Sequence, residues 1–286
     1  MKANSDRLYN DVQFLTSIRP FRNCSNPDSL QQVADYLETE FSKTGLLVEV
    51  QKFIDKRNVY SNVIAKYNAG ASKRLIVGAH YDVAGDQPGA DDNASGVAGL
   101  IETARLIASK KPDLDYRIEF VAYTNEEPPC FGTESMGSFV HARSLSESGV
   151  DLIGMICYDM IGYYSDESGS QNFPSPELAS QYPDKGNFII VVGIQDHEEF
   201  NKLVHGKMSM NSEIDVELIT MPNDSHLACL SDQRNYWKFG YKALMINNTA
   251  FLRNPNYHLD TDTKETLDFS RMAKVVDSCY YAIINL

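Results

Sequence analysis

No two cysteines of this chain stand in a C-x-x-C spacing, and the five present, Cys24, Cys130, Cys157, Cys229 and Cys279, are scattered and odd in number. That pattern excludes a zinc-ribbon or thioredoxin-type motif and leaves isolated buried thiols as the plain reading. Basic residues are also scarce: 26 Lys and Arg stand against 39 Asp and Glu, for a formal charge of −13 and a pI near 4.9. Non-specific affinity for nucleic acid comes from clustered Lys and Arg, so no nucleic-acid partner is expected. Nowhere is there a run of about 18 apolar residues, and the opening MKANSDRLYNDVQF has no apolar core of a leader. As written, the chain is expected to be soluble, without a membrane partner and cytoplasmic, or secreted or periplasmic if a leader has been removed. It has no internal repeat, no low-complexity tract and no Asn-Gly turn between strong strands.

What is present is the composition of a protein with a core: 43% hydrophobic and 10% aromatic residues. A length of 286 residues suits one large α/β domain, expected to span residues 1–286, with a monomer the favoured oligomeric state. The chain is organised around GAHYDVAGDQPGADDNASG, Gly78 to Gly96. Leu75, Ile76 and Val77 read as a short strand, and His80 and Asp82 lie just past its end on one side of an extended backbone. Gly85, Pro88 and Gly89 break the chain. Asp91, Asp92 and Asn93 then precede a helical stripe of Val97, Leu100, Ile101, Ala104 and Ala108. Chemistry in α/β folds gathers at such strand ends.

Around this stretch, Asn26-Pro27 reads as an N-cap and first-turn proline, opening a helix that Gly45 ends. Strands are expected over Leu46–Phe53, Ser61–Lys66, Arg74–Ala79, Tyr116–Tyr123, Leu152–Tyr158, Phe188–Gly193, Val216–Met221 and Ala243–Asn247. Residues 163–186 lack any period and read as a long functional loop. The tail from Thr263 carries a helical apolar stripe. Strands alternating with helices argue for a mainly parallel, mixed sheet of about eight strands, covered on both faces.

Strand ends repeatedly deliver metal-ligand chemistry: His80, Asp92, Glu127, Asp159 and His258. Taken singly, each is more simply a capping or surface group, and Glu126-Glu127 alone reads as a solvated loop. Together at one edge they suit a two-cation site, with Asp92 as bridge, His80 and Asp159 on one ion, and Glu127 and His258 on the other. Glu126 would accept a proton beside them.

Five separated motifs, G-A-H-Y-D, G-A-D-D-N-A-S-G, N-E-E, Y-D-M-I-G and Y-H-L-D-T-D-T, resemble in order those of the dizinc aminopeptidases, whose relatives include glutamate carboxypeptidases and glutaminyl cyclases. The resemblance runs from about Asp28 onward and implies a zinc-peptidase fold and two zinc ions. His80, Asp92, Glu127, Asp159 and His258 would be the ligands, and Asp91 is the alternative to Asp92. The catalytic set would be Glu126 as general base, Asp82 orienting His80, and Tyr257 stabilising an oxyanion. Asp262 matches an acidic residue that follows the last ligand. In such enzymes a water shared by the two metals attacks the scissile carbonyl of peptides with a free N-terminus. A cis peptide after the bridging aspartate, here Asp92-Asn93, is implied too. The departures are Ser231-Asp232-Gln233 in place of Ser-Asp-His, the Pro128-Pro129-Cys130-Phe131 run and the 163–186 loop. His226 is a further pocket candidate. A carboxypeptidase or dipeptidase would need a cation for the substrate carboxylate, with Arg19, Arg22, Arg234 and Arg253 available. A glutaminyl cyclase would hold a single zinc, and a non-catalytic binding module would have lost ligands.

Overall fold

The computed structural model describes residues 2–286. Its centre is one eight-stranded sheet of β1 (Leu47–Asp55), β2 (Asn58–Tyr67), β3 (Arg74–His80), β4 (Arg117–Tyr123), β5 (Leu152–Tyr158), β6 (Ile189–Ile194), β7 (Val216–Met221) and β8 (Ala243–Asn247). The spatial order is β1-β2-β4-β3-β5-β8-β6-β7. The β4-β3-β5-β8 block is parallel, so the carboxyl ends of these strands, and the loops after them, lie along one edge. The sheet is mixed, as expected, because β2 joins β4 and β6 joins β8 antiparallel.

No hairpin signal stands between β1 and β2, yet they form one, turning over Asp55–Asn58 with Lys56 at φ 54°. A lysine in left-handed backbone does the work usually given to Asn-Gly, which is why no motif marked the turn.

Helices cover both faces. On one lie α1 (Ser5–Ser17), α2 (Pro27–Lys43), α3 (Gly96–Lys110), α6 (Glu198–Met210) and α8 (Phe269–Ile283). Their apolar stripes, including Leu8, Leu37, Leu100, Val204 and Val276, close on Leu75, Val77 and Ile156 of the sheet. The opposite face, with Ile76, Val121 and Met155, receives α4 (Gly137–Glu147) and α7 (Gln233–Lys238). The 163–186 loop contains only a four-residue helix, α5 (Pro176–Ala179).

The helix that carries the Val97 stripe begins at Gly96, shortly after two residues that are not helical, Asp92 (φ −104°, ψ 93°) and Asn93 (φ −130°, ψ 38°). Gly96 has no substitute: a Cβ there would stand 2.2 Å from Asn93 Oδ1 and 2.6 Å from the Tyr158 carbonyl. This close approach joins the organising turn to the end of β5.

His141 on α4 is buried, with Nδ1 2.7 Å from Tyr236 Oη, which lies 2.6 Å from Tyr123 Oη. Burial, with help from Arg74 and Lys66, pulls its pKa down to about 3. The unfolded value is about 6.5. Below that pH the unfolded chain takes up a proton that the fold refuses. The stability tied to the neutral imidazole is therefore present above pH about 6.5 and lost as pH falls toward 3, by about 1.4 kcal/mol per pH unit. Denaturant melts of wild type and His141→Gln at pH 7, 5 and 4 should converge as the pH falls. A stability difference independent of pH would contradict this.

A candidate metal centre at the strand ends

His80 is the last residue of β3 and Asp82 lies two beyond it; both are buried. The turn that follows is fixed from three sides. Gly89 reverses the chain at φ 59°, where a Cβ would meet Asp92 O at 2.3 Å. The buried Arg22 guanidinium donates to the carbonyls of Tyr81 (2.8 Å), Leu15 (3.1 Å), Pro88 and Gly89 (2.6 Å). The Asp262 carboxylate accepts the backbone N–H of Asp91 (2.9 Å) and Asp92 (3.1 Å). The Asp92–Asn93 peptide is cis, as the family resemblance implies.

This clamp separates the two neighbouring aspartates. Asp91 is spent on loops: Oδ1 accepts the N–H of Gly162 (2.8 Å) and Tyr163 (3.2 Å), and Oδ2 accepts the amides of Asn248 (2.8 Å) and Asn254 (2.8 Å). Asp92 faces the imidazoles. Its Oδ1 lies 3.4 Å from His80 Nε2 and its Oδ2 3.0 Å from His258 Nε2. His80 Nε2 is also 3.9 Å from Asp159 Oδ2 and 3.9 Å from Glu126 Oε2, and His258 Nε2 is 3.5 Å from Glu127 Oε1. Three groups have donor atoms within 4.8 Å of one another, His80–Asp92–Asp159, Asp92–Glu127–His258 and His80–Glu126–Glu127, and the first two share Asp92.

Asp82 does more than its sequence role implied. Its Oδ1 sits 3.5 Å from His80 Nδ1, and its two oxygens also accept the backbone N–H of Glu126 (3.0 Å) and Glu127 (3.0 Å). One carboxylate thus aims an imidazole and both glutamates. Asn125 (φ 59°), Met160 (φ 54°) and His258 (φ 58°), within or beside the cluster, adopt left-handed backbone. Such residues ordinarily cost about 1–3 kcal/mol each, so the surrounding structure imposes the site geometry.

The electrostatics are those of a cation site. Burial pushes Glu127 up to about 7 and Asp159 up to about 6, and drives Glu126 well above the usual carboxylate range. Burial would raise Asp92 too, but the His258 and His80 imidazoles facing it hold it well below that range. For His80, burial acts to lower the pKa, yet Glu126, Asp82, Asp92 and Asp159 outweigh it and raise it. His258 rises to about 10 against the same burial, through Asp92 and Glu127. Carboxylates crowded this closely need positive charge between them. Glu126 Oε1 and Glu127 Oε1 are buried without a hydrogen-bond partner, so donor capacity remains. This donor set of two imidazoles and three carboxylates around a shared oxygen donor fits divalent cations.

From this cluster a cavity runs along the sheet face, over Met245 of β8, Ile190 and Val192 of β6, and Ile219 and Met221 of β7. Phe173, Pro174 and Leu178 of the 163–186 loop close it, with Leu227 and Leu230. Tyr257 lines it as well, stacked on the His258 ring at 3.8 Å. His226 does not: it is exposed and caps the short turn that points Leu227 inward. Gln233, standing where a histidine was expected, donates to Ala228 O at 2.7 Å and braces that turn. Ser231 Oγ lies 3.5 Å from Cys157 Sγ, and Asp232 is wholly buried beside the cluster, raised to about 7 by burial. Asp232 and the loop residues of the cavity wall were not assigned from the sequence. The Ser-Asp pair was the only signal for the former, and the non-periodic loop gave none for the latter.

The model of "Peptidase family M28" matches residues 62–283. The chain belongs to peptidase family M28. Among relatives of this M28 chain, the protein YfbL of Escherichia coli, itself uncharacterized, is 41% identical over 99% of the chain and 88% of its own length. A probable leucine aminopeptidase of Trichophyton verrucosum is 25% identical over 94% of the chain and 69% of its own length. Among solved structures, the Legionella pneumophila LapA aminopeptidase superposes with a TM-score of 0.76 at 19% identity, covering 99% of this chain and 72% of LapA. A Bacteroides thetaiotaomicron glutaminyl cyclase superposes at 0.73 with 20% identity, covering 100% and 99%. These two likenesses establish the shared α/β fold. With the family and the candidate ligand groups, the M28 chain is a metal-dependent peptidase.

Proposed function

We propose that this M28 peptidase is a two-zinc aminopeptidase that removes bulky apolar residues from the N-termini of peptides. One observation carries the reading: the cavity beside the cluster is lined by the carboxylates of Asp92, Glu126, Glu127 and Asp159 and by apolar side chains, without a lysine or arginine. An acidic mouth favours an ammonium group, whereas a C-terminal carboxylate would need a cation. The arginines that a carboxypeptidase would use are engaged elsewhere. Arg22 is buried on backbone carbonyls, Arg253 donates to Gln171 Oε1 (2.8 Å) and Phe188 O (2.7 Å), Arg234 stacks over Phe131, and Arg19 over Phe21. The relationship to a probable leucine aminopeptidase supports the same end of the peptide.

His80, Asp92 and Asp159 would hold one zinc, and Asp92, Glu127 and His258 the other. When bound, zinc supplies Lewis acidity toward the scissile carbonyl and acidifies water to a pKa near 7. The chain does the rest. The Glu126 carboxylate takes the proton of the attacking water and returns it to the leaving amine. Asp82 holds Glu126 in place through its backbone amide and fixes His80. Tyr257, which lines the cavity, would donate its hydroxyl to the developing oxyanion. The apolar floor takes the first side chain and keeps water out.

A panel of Leu-, Phe- and Ala-initiated peptides, each free and N-acetylated, tests this. The free Leu and Phe peptides should be cleaved stepwise from the N-terminus, at least about 10-fold faster in kcat/KM than the Ala peptide, as one or more buried methylenes decide. N-acetylation should abolish turnover. Cleavage of the blocked peptides from the C-terminus would overturn the reading, as would cyclisation of an added Gln-initiated peptide to its pyroglutamyl form with loss of ammonia.

A further inference from the structure

The cavity beside the ligand groups is longer than a leucine side chain needs, and strand pairing measures it. Asp159 follows β5, whose last residue, Tyr158, pairs with Ile246 of β8. Met245 of β8 pairs with Val192 of β6, and Val192 with Ile219 of β7. Met245, Val192 and Ile219 all line the cavity. Three strand spacings of about 4.8 Å, roughly 14 Å in all, therefore separate the Asp159 strand from the far strand of the floor. A leucine side chain reaches only about 4 Å beyond its Cα, three zigzag C–C bonds of about 1.5 Å. Main chain does not suit the remainder, because buried N–H and C=O groups need partners. Past the metal cluster and Tyr257, the polar side chains on the walls are, among the described residues, Asn247 and Thr249. Both are engaged: Asn247 Nδ2 donates to Asp159 O (2.7 Å), its Oδ1 accepts the Thr249 N–H, and Thr249 Oγ1 meets the Gln171 amide at 2.9 Å.

An arch, residues 172–181, closes this far end and is pinned at both feet. At one foot the buried Gln171 accepts Arg253 Nε at Oε1 (2.8 Å) and donates through Nε2 to Thr249 Oγ1 (2.9 Å) and Asn172 O (2.8 Å). Asn172 N–H donates in turn to Leu252 O at 3.0 Å. At the other foot Tyr182 Oη donates to Leu218 O of β7 (2.8 Å), and the Tyr182 ring stacks on Phe173 at 5.2 Å. Between them Ser175 caps α5 by accepting the Leu178 N–H at 3.3 Å, and this turn carries Leu178 to the cavity wall while Glu177 and Ala179 stay exposed. We propose that the cavity takes a first side chain longer than leucine's, an apolar chain of about six carbons, and that Gln171 is the positioning residue that sets this limit through Phe173 and Leu178. The inference rests on the aminopeptidase reading, in which the substrate's ammonium sits at the carboxylates and its first side chain in the cavity.

The test measures kcat/KM of the zinc-loaded protein on free-amino 4-nitroanilides with unbranched side chains: alanine, norleucine, 2-aminooctanoic acid and 2-aminododecanoic acid. From norleucine to 2-aminooctanoic acid, two further buried methylenes at about 0.8 kcal/mol each should raise it about 10-fold, mainly through KM. The longer chain of 2-aminododecanoic acid should meet the arch and fall back below 2-aminooctanoic acid. Gln171→Ala should abolish the gain beyond norleucine, and Gln171→Glu, which keeps an acceptor for Arg253 and Thr249, should restore it. Phe173→Ala should instead let 2-aminododecanoic acid overtake 2-aminooctanoic acid. A wild-type profile that levels off at norleucine, or one left unmoved by Gln171→Ala and Phe173→Ala, would overturn the inference and leave the aminopeptidase reading standing. Octanoyl 4-nitroanilide, which lacks the ammonium, cleaved as fast as its 2-amino counterpart would also overturn it, by giving the cavity to acyl amides. If none of the free-amino substrates were cleaved, the aminopeptidase reading would fall, and this inference with it.

Discussion

Glu126→Gln is expected to lower kcat on a free-amino peptide by about 10²–10⁴-fold, the usual contribution of a positioned general base, with KM changed much less. The substitution is nearly isosteric. The backbone amide that Asp82 holds is untouched, and Glu126 belongs to neither of the two ligand groups that share Asp92, only to the His80–Glu126–Glu127 group, whose other two members stay in place. Metal content should therefore match the wild type, which separates this residue from its neighbour. Glu127→Gln removes a donor from the Asp92–Glu127–His258 set and should lower metal content as well as rate. If Glu126→Gln lost metal, its assignment as base would fall. If it kept both metal and full activity, the proton path would have to be redrawn.

Metal removal is the second large effect. Exhaustive dialysis against a chelator should reduce hydrolysis of a leucine p-nitroanilide to background, and zinc should restore it. The protein itself should remain folded, because the three carboxylates and two imidazoles of the ligand sets can share protons. In the metal-free state Glu127 and Asp159 are pushed up to about 7 and about 6 by burial, and both imidazoles are raised by the carboxylates around them. Restoration should therefore be strongly pH-dependent, since binding a cation must displace these protons. Below about pH 6 the affinity for zinc should fall steeply, read by competition with a chromophoric chelator. Activity indifferent to chelation would contradict the account.

How much of this was legible in the sequence follows from what kind of information each feature needs. His80, Asp92, Glu127, Asp159 and His258 were readable because each stands in a short text tied to a strand end, and a parallel block brings strand ends to one edge whatever the loop lengths. The choice between Asp91 and Asp92 was not readable from composition. It is made by Asn248 and Asn254, more than 150 residues away, which occupy the Asp91 carboxylate. The double duty of Asp82 depends likewise on where β4 ends beside β3. The β1–β2 hairpin escaped notice because a lysine occupies its left-handed position. His226 was a pocket candidate on proximity in sequence, but one turn of 3-10 helix exposes it and sends Leu227 inward instead. The wall built by Phe173 and Leu178 comes from a loop without periodicity, where only tertiary packing selects which residues face the cavity.

The most direct measurement is an anomalous diffraction map at the zinc edge from crystals of the zinc-loaded protein. Two peaks about 3.5–4 Å apart are predicted, each about 2.0–2.2 Å from its ligands. One should touch His80 and Asp159, the other Glu127 and His258, and both Asp92. A single peak, or peaks away from Asp92, would contradict the two-cation centre from which the proposed chemistry follows.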